Sequence, residues 1–288
     1  MYKLIDKIFD TVIKLLTLFS LLILVFIIIF IFKESIVFFK EVSILKFITG
    51  RKWNPLKSPT DLSILNIILG TLYVSFVAII IALPIGVGTG LLLSIYTNGK
   101  WKVITRGIID ILAGIPSVVY GFIGLLVIVK FFEAVLDFPT GESVLAGGIL
   151  LSVMILPYII STCSETMDNI YKENLFSSEA LGTSKIYMAR KIVLPESKKG
   201  IIAAVILALG RAMGETMAVM MVMGNTPISP KLLKRAQTIP SLIALEMGMA
   251  EVGSLHYHAL FASGLVLMVM LLIINIIFYY IKKGIHVR

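Results

Sequence analysis

Charge is scarce in this chain. Only 15% of its 288 residues are Asp, Glu, Lys or Arg, whereas soluble domains run nearer a quarter. With 58% hydrophobic residues and a mean hydropathy of +0.99, a soluble domain is excluded and a polytopic helical membrane protein is implied. Cysteine is almost absent. Cys163, the single one, forms no intrachain disulfide and sits in an apolar run, where it reads as a small packing residue. No glycine-rich loop ending in Lys-Ser or Lys-Thr occurs, so the chain does not bind ATP in the P-loop manner. His-Glu-x-x-His, Cys-x-x-Cys and Gly-x-Ser-x-Gly are missing too. His256 and His258 flank Tyr257 without a third ligand beside them, and they read as interfacial residues rather than a metal site. Neither an enzyme nor a cofactor is expected.

The net charge of +9 would point to nucleic acid in a soluble chain. Here no basic run with interleaved aromatics lies outside the apolar segments, and membrane topology accounts for the charge instead. Six apolar runs approach the roughly 20 residues that span a bilayer: about 12–32, 64–95, 107–129, 143–164, 200–224 and 259–281. Leu15 to Phe32 has no charge and no small-x-small cleavage site before Lys33, so it reads as a retained first helix. The second run is overlong, with no charge between Asp61 and Lys100. Its Pro84, Gly86, Gly88 and Gly90 predict a kink against close neighbours.

Six spans put both termini on one side. With the termini cytoplasmic, 15 Lys and Arg lie inside and 10 outside, which favours that orientation. The expected fold is all-α with six transmembrane helices: a first helix and outer loop over 1–61, then a five-helix core over 62–288. Two connections exceed simple turns. The cytoplasmic one, 165–199, contains a helix-like piece from Leu175 to Ile192. The outer one, 225–258, holds Pro227, Pro230 and Pro240, with a short surface helix expected over Ser241 to Glu251. No internal repeat is visible.

Arg211 and Glu215 stand in the middle of the fifth of these runs, Gly200 to Gly224. A charge at such depth costs roughly 2.5–3.5 kcal/mol on insertion scales, so a partner or a charged substrate must offset it. In one continuous helix the two groups share a face, about 6 Å apart along the axis. Ala204, Leu207, Ala208, Gly214 and Ala218 line the same face, while Ile202, Val205, Ile206, Leu209, Met213 and Met220 fall elsewhere. Small residues allow close helix approach, which turns Arg211 toward protein or a pathway. A structural salt bridge is the plainer reading. Arg before Glu is the poorer i,i+4 order and buried pairs often cost more than they return, so an anion site is favoured, with Glu215 holding Arg211 while no anion is bound. Asp110 is expected to begin the third span and Pro116 to bend it. Ser117 would give a hydrogen bond to a freed carbonyl or the substrate, and Asn225, Thr226 and Pro227 would line the pathway mouth.

The cytoplasmic connection reads Gly182-x9-Ile192-x-Leu194-Pro195. This resembles the coupling loop of ABC importer permeases, a short helix that docks on the ATPase subunit; a helix resting on the inner membrane surface is the alternative. Glu179, Ala180, Gly182, Ile192, Leu194 and Pro195 are the coupling residues this implies. The family's Glu-Ala-Ala, six residues before the glycine, is replaced by Phe176, Ser177 and Ser178. Gly114-Ile-Pro-Ser-Val-Val-Tyr-Gly121, Phe138-Pro-Thr-Gly141, Ala146-Gly-Gly-Ile149 and Gly210-Arg-Ala-Met-Gly-Glu-Thr-Met-Ala-Val219 are similar to the phosphate-specific transport permeases of PstC type, over about residues 62–284. The resemblance implies a multi-pass cell-membrane permease that imports inorganic phosphate. Its partners would be a homologous PstA-type permease, PstB-type ATPase subunits and a PstS-type extracytoplasmic binding protein. In that family the matching arginine and glutamate are implicated in translocation. Sulfate, molybdate or tungstate would suit the same architecture. An ion-coupled secondary carrier would suit a mid-bilayer ion pair, but such folds often show an internal repeat.

Overall fold

The computed structural model describes residues 2–55, 60–136 and 139–284. Phe138 of the Phe-Pro-Thr-Gly motif lies outside them. The described residues are predominantly helical, and the strand pairing among them is a two-residue antiparallel contact of Trp53–Asn54 with Asp61–Leu62.

Two long helices form the centre. Helix α1 (Tyr2–Glu41) and the short α2 (Ile44–Thr49) precede α3 (Leu65–Ile95). Helix α4 (Gly99–Gly114) leads to α5 (Ser117–Ile123), which continues through wider π-type turns at Gly124–Val129 into α6 (Lys130–Leu136). Helix α7 (Val144–Ala180) is packed along α3. Both run past the roughly 30 Å hydrocarbon core: at 1.5 Å per residue they measure about 46 and about 55 Å. The excess lies at opposite ends. Ile67 and Ile68 at the start of α3 are buried in a separate cluster with Phe38, Phe47, Ile239 and Leu260, while the last turns of α7 are mostly exposed.

Pro84 and Pro157 sit inside α3 and α7 without ending either helix. The close neighbour expected beside Pro84 is α7 itself. A Cβ on Gly90 would come within 2.9 Å of the Cys163 Cβ and 3.1 Å of the Ser164 backbone nitrogen. Cys163 is fully buried at this crossing, the small packing residue that its surroundings called for. Ser143 opens α7 by accepting a hydrogen bond from the Ala146 N–H at 3.1 Å, which satisfies one of the helix's free donors.

Among the described residues five helical segments are long and apolar enough to cross a membrane: Phe9–Glu41, Leu65–Ile95, Ser117–Val135, Val144–Ala180 and Leu255–Gly284. The fifth expected span is present as two pieces, α10 (Lys198–Gly214) and α11 (Met217–Val222), divided at Glu215 and Thr216. The third starts later than its hydropathy predicts. Ile115 leaves the helical region at ψ 129°, because the residue before a proline is pushed to extended backbone and Pro116 itself offers no N–H. Gly107–Gly114 therefore belongs to α4, and Asp110 with it, rather than to the span.

The cytoplasmic piece expected from Leu175 to Ile192 is likewise not one helix. Helix α7 ends at Ala180, Gly182 turns the chain at φ +63°, and α8 (Lys185–Met188), a π-type turn at Ala189–Val193 and α9 (Leu194–Glu196) follow. In the other long connection, α12 (Ile239–Glu246) is secured by a reciprocal Thr238–Ser241 capping box. Its Ile239, Pro240, Ser241 and Leu242 are buried, so it is packed into the cluster around Phe38 and Phe47, not a surface helix. Helix α13 (Leu255–Gly284) packs on α1, with Phe30 edge-on to Phe261 at 5.4 Å. His256 approaches Glu246 at 2.7 Å and His258 approaches Glu34 at 2.9 Å, two separate carboxylates.

Replacing Gly90 by Val forces side-chain atoms into backbone that cannot retreat. Overpacking of this kind costs about 1–3 kcal/mol, and the variant is expected to lower the thermal unfolding midpoint of the solubilised protein. Gly88→Val, where a Cβ meets nothing within 4 Å, is the matched control and is expected to unfold as the parent does.

Candidate functional site

The site is built around a break. Helix α10 stops at Gly214, and Glu215 is extended (φ −69°, ψ 128°). Among the described residues no ion pair links Arg211 to Glu215. The expectations that one helix presents both charges, and that the carboxylate holds the arginine, are therefore corrected. Glu215 Oε1 instead accepts from the Ala218 N–H at 3.3 Å, so the carboxylate caps the first turn of α11, whose free donors favour negative charge.

Arg211 has another partner. Its guanidinium carbon lies 4.7 Å from the centre of the Tyr158 ring on α7, within the range of a cation–π contact. Tyr158 in turn reaches the Ala113 carbonyl at 3.5 Å, and Tyr120 donates to the Leu112 carbonyl at 2.8 Å. Two tyrosines thus tie the end of α4 to the helices around Arg211. Neither contact gives the cation an opposite charge.

The stripe expected on the arginine face divides. Ala204, Ala208 and, past the break, Ala218 are fully buried against the core of this chain. Leu207, Arg211 and Gly214 are exposed. A Cβ on Gly210, Gly214 or Gly114 would meet nothing within 4 Å, so space is open at these three glycines, two of which lie within three residues of Arg211 in the chain. An exposed cation on a membrane-depth helix implies that something outside the chain covers it, as lipid would leave it uncompensated.

The other expected pathway residues fall around this centre unequally. Ser117 opens α5, which packs beside α11 where Gly121 meets Ala218. Asn225 and Thr226 are spent on their own turn. Asn225, at φ 43°, donates to the Met220 carbonyl at 2.6 Å, and Thr226 donates to the Gly224 carbonyl at 2.9 Å. The Asn225 Oδ1 is buried with no hydrogen-bond partner among the described residues.

The coupling residues form a second group, far from the first: Tyr158 and Ala180 are separated by about 33 Å of helix. Glu179, Ala180 and Gly182 are exposed at the turn. Ile192 and Leu194 instead pack against the main core, and Pro195 is half-buried. The motif is thus one exposed corner and one anchor. Hydropathy alone hid the rest of the corner: Phe176 (80% exposed), Leu181 (79%), Ile186 and Tyr187 project from polar surroundings. The available signal was large apolar residues within a charged connection, which exposure on one knob explains and a buried helix does not.

Comparison with known proteins agrees with this geometry. Residues 82–287 match the family model described as the binding-protein-dependent transport system inner membrane component. A probable ABC transporter permease protein, YqgH of Bacillus subtilis, is 37% identical over 243 residues, covering 84% of this chain and 79% of its own. The phosphate transport system permease protein PstC of Mesorhizobium japonicum is 34% identical over 262 residues, with the same coverage of each. The probable PstC of Methanocaldococcus jannaschii is 35% identical over 237 residues, covering 75% of this chain and 74% of its own. Among solved structures, an inward-facing MetNI methionine ABC transporter chain superposes with a TM-score of 0.61 at 18% identity, over 78% of this chain and 96% of that one. The fold is that of a type I ABC importer permease.

The cap on α11 is testable by itself. Glu215→Ala removes the acceptor of the Ala218 N–H and is expected to cost about 1 kcal/mol, as lost helix caps do, read as a lower unfolding midpoint. Glu215→Gln keeps an acceptor oxygen and is expected to lose less than half of that.

Proposed function

The chain belongs to the binding-protein-dependent transport system inner membrane component family, and on that premise we propose that it passes inorganic phosphate along a pathway whose fixed cation is Arg211. As a family member it is a multi-pass membrane permease subunit of an ABC importer. It makes and breaks no covalent bond, and it works with an ATPase and a substrate-binding protein.

One observation carries the assignment of the site: Arg211 is exposed, lies over the Tyr158 ring, and pairs with no carboxylate among the described residues. A planar guanidinium with its edge free is suited to a bidentate contact with two oxygens of a tetrahedral anion. The space open at Gly210 and Gly214 gives the anion room. The choice of phosphate over sulfate, molybdate or tungstate is supported by the PstC relatives. A homologous PstA-type permease would close the far wall of the pathway over the exposed face of Arg211. PstB-type ATPase subunits would seat the apolar corner of Phe176, Leu181, Ile186 and Tyr187, and a PstS-type binding protein would deliver the ion from outside. With the termini cytoplasmic, the α7–α8 corner falls on the ATPase side.

Uptake by the assembled complex in liposomes tests the reading. Arg211→Lys keeps the charge but loses the fork. It is expected to lower phosphate uptake by about ten-fold or more, the worth of one charge-assisted hydrogen bond, with all subunits still co-purifying. Normal uptake by Arg211→Ala would overturn the site, and uptake inhibited by sulfate as strongly as by phosphate would overturn the substrate. For the corner, Leu181→Asp combined with Ile186→Asp is expected to abolish capture of the ATPase by the tagged chain. Undiminished capture would place the docking surface elsewhere.

A further inference from the structure

Asp168 lies on α7 between the arginine site and the coupling corner, and nothing in the transport reading uses it. Its side chain is only 9% exposed, yet it accepts from two cations of α4: Lys102 Nζ at 2.6 Å on one oxygen and an Arg106 terminal nitrogen at 2.6 Å on the other. The apolar hold of α4 is thin by comparison. Ile109 is its one buried residue, in a small cluster with Leu93 and Ile160. Beside the clamp the helices part around a cavity of about 330 Å³ whose lining includes Arg106, Asp110, Ser161, Ser164 and Glu165. The position of α4 on α7 thus depends chiefly on Asp168 at one end and on the Tyr158 contact with Ala113 at the other.

These two attachments have different neighbours. Asp168 is twelve residues, about 18 Å, from the end of α7, where the coupling corner begins. Tyr158 carries the guanidinium of Arg211. We propose that Asp168 is a positioning residue that makes α4 follow the cytoplasmic end of α7, so that movement imposed on the coupling corner alters the wall of the site at Ala113–Gly114 and Arg211. The inference rests on the ABC-permease reading but not on which anion is carried. A buried carboxylate shared by two cations is suited to this. Losing it leaves two positive charges one turn apart on α4, turned toward α7 without their shared carboxylate, a larger penalty than losing a surface pair.

The test uses the full complex with its ATPase and phosphate-loaded binding protein in liposomes. It reads phosphate taken up per ATP hydrolysed, and hydrogen exchange over Gly99–Gly114 with and without ATP. Asp168→Asn is expected to assemble and to hydrolyse ATP while uptake per ATP falls at least about five-fold, the lower end of ordinary coupling between sites. The exchange of α4 is expected to respond to ATP in the parent and to stop responding in the variant. Asp168→Glu, which keeps the charge, is expected to restore most of both. An unchanged ratio with an unchanged exchange response overturns the proposal. So does a variant in which assembly, hydrolysis and uptake fall together, the mark of a clamp that only holds the fold. A parent complex that hydrolyses ATP but takes up no phosphate refutes the phosphate reading instead. The clamp is then judged on the ATP response of α4 alone, which needs no transported ion.

Discussion

Hydrocarbon offers no hydrogen bonds, so backbone that leaves a helix inside the membrane must find its partners within the protein or beside a polar pathway. Two breaks in this chain meet that constraint side by side. At Ile115–Pro116 proline has no N–H in need of an acceptor, and Tyr120 and Tyr158 supply hydroxyls to the Leu112 and Ala113 carbonyls. At Glu215–Thr216 a carboxylate takes up the Ala218 N–H. The rest of the arrangement follows from these local solutions. Because the chain breaks after Gly214, Arg211 stands near a helix end and is free to lie across the Tyr158 ring. Because Glu215 is occupied with α11, the arginine keeps its charge available.

The rigid frame for this pairing is the α3–α7 contact. Gly90 and Cys163 let two helix backbones approach where larger residues would hold them apart, which is how helices associate without a hydrophobic drive between them. Helix α7 links the two functional regions as one continuous element, with Tyr158 at one level, Asp168 below it and the Gly182 corner at its end. The long lever and the thinly held α4 beside it make a mechanical assembly in which polar contacts, rather than apolar burial, decide which helix moves with which.

The sequence made the membrane class plain, because an 18-residue run without charge has no other stable environment. It also marked Arg211, since ionisable groups at membrane depth are rare and costly. Both family signatures were legible for similar reasons: Gly182 is needed for a positive-φ turn, and the Leu194-Pro195 pair anchors the segment after it. The partner of Arg211 was not legible. A glutamate four residues away looks like an ion pair on any helical wheel, and the wheel fails because the helix ends in between. Hydropathy cannot register that ending, as Gly214, Thr216 and Met217 are no more polar than their neighbours. The expected third span failed in the same way, running a hydrophobic average across Pro116.

By itself, then, the sequence determined the environment of each segment and the presence of a costly cation, both of which depend on transfer free energies that residues carry with them. Tertiary structure alone decided what that cation touches, that Glu215 serves a helix end, and that Asp168 gathers Lys102 and Arg106 from another helix. The first and last of these depend on distances between residues 53, 62 and 66 positions apart in the chain, whereas the Glu215 cap spans only three. Such distances are set by how closely glycine-bearing helices approach, a property of packed pairs that no single segment expresses.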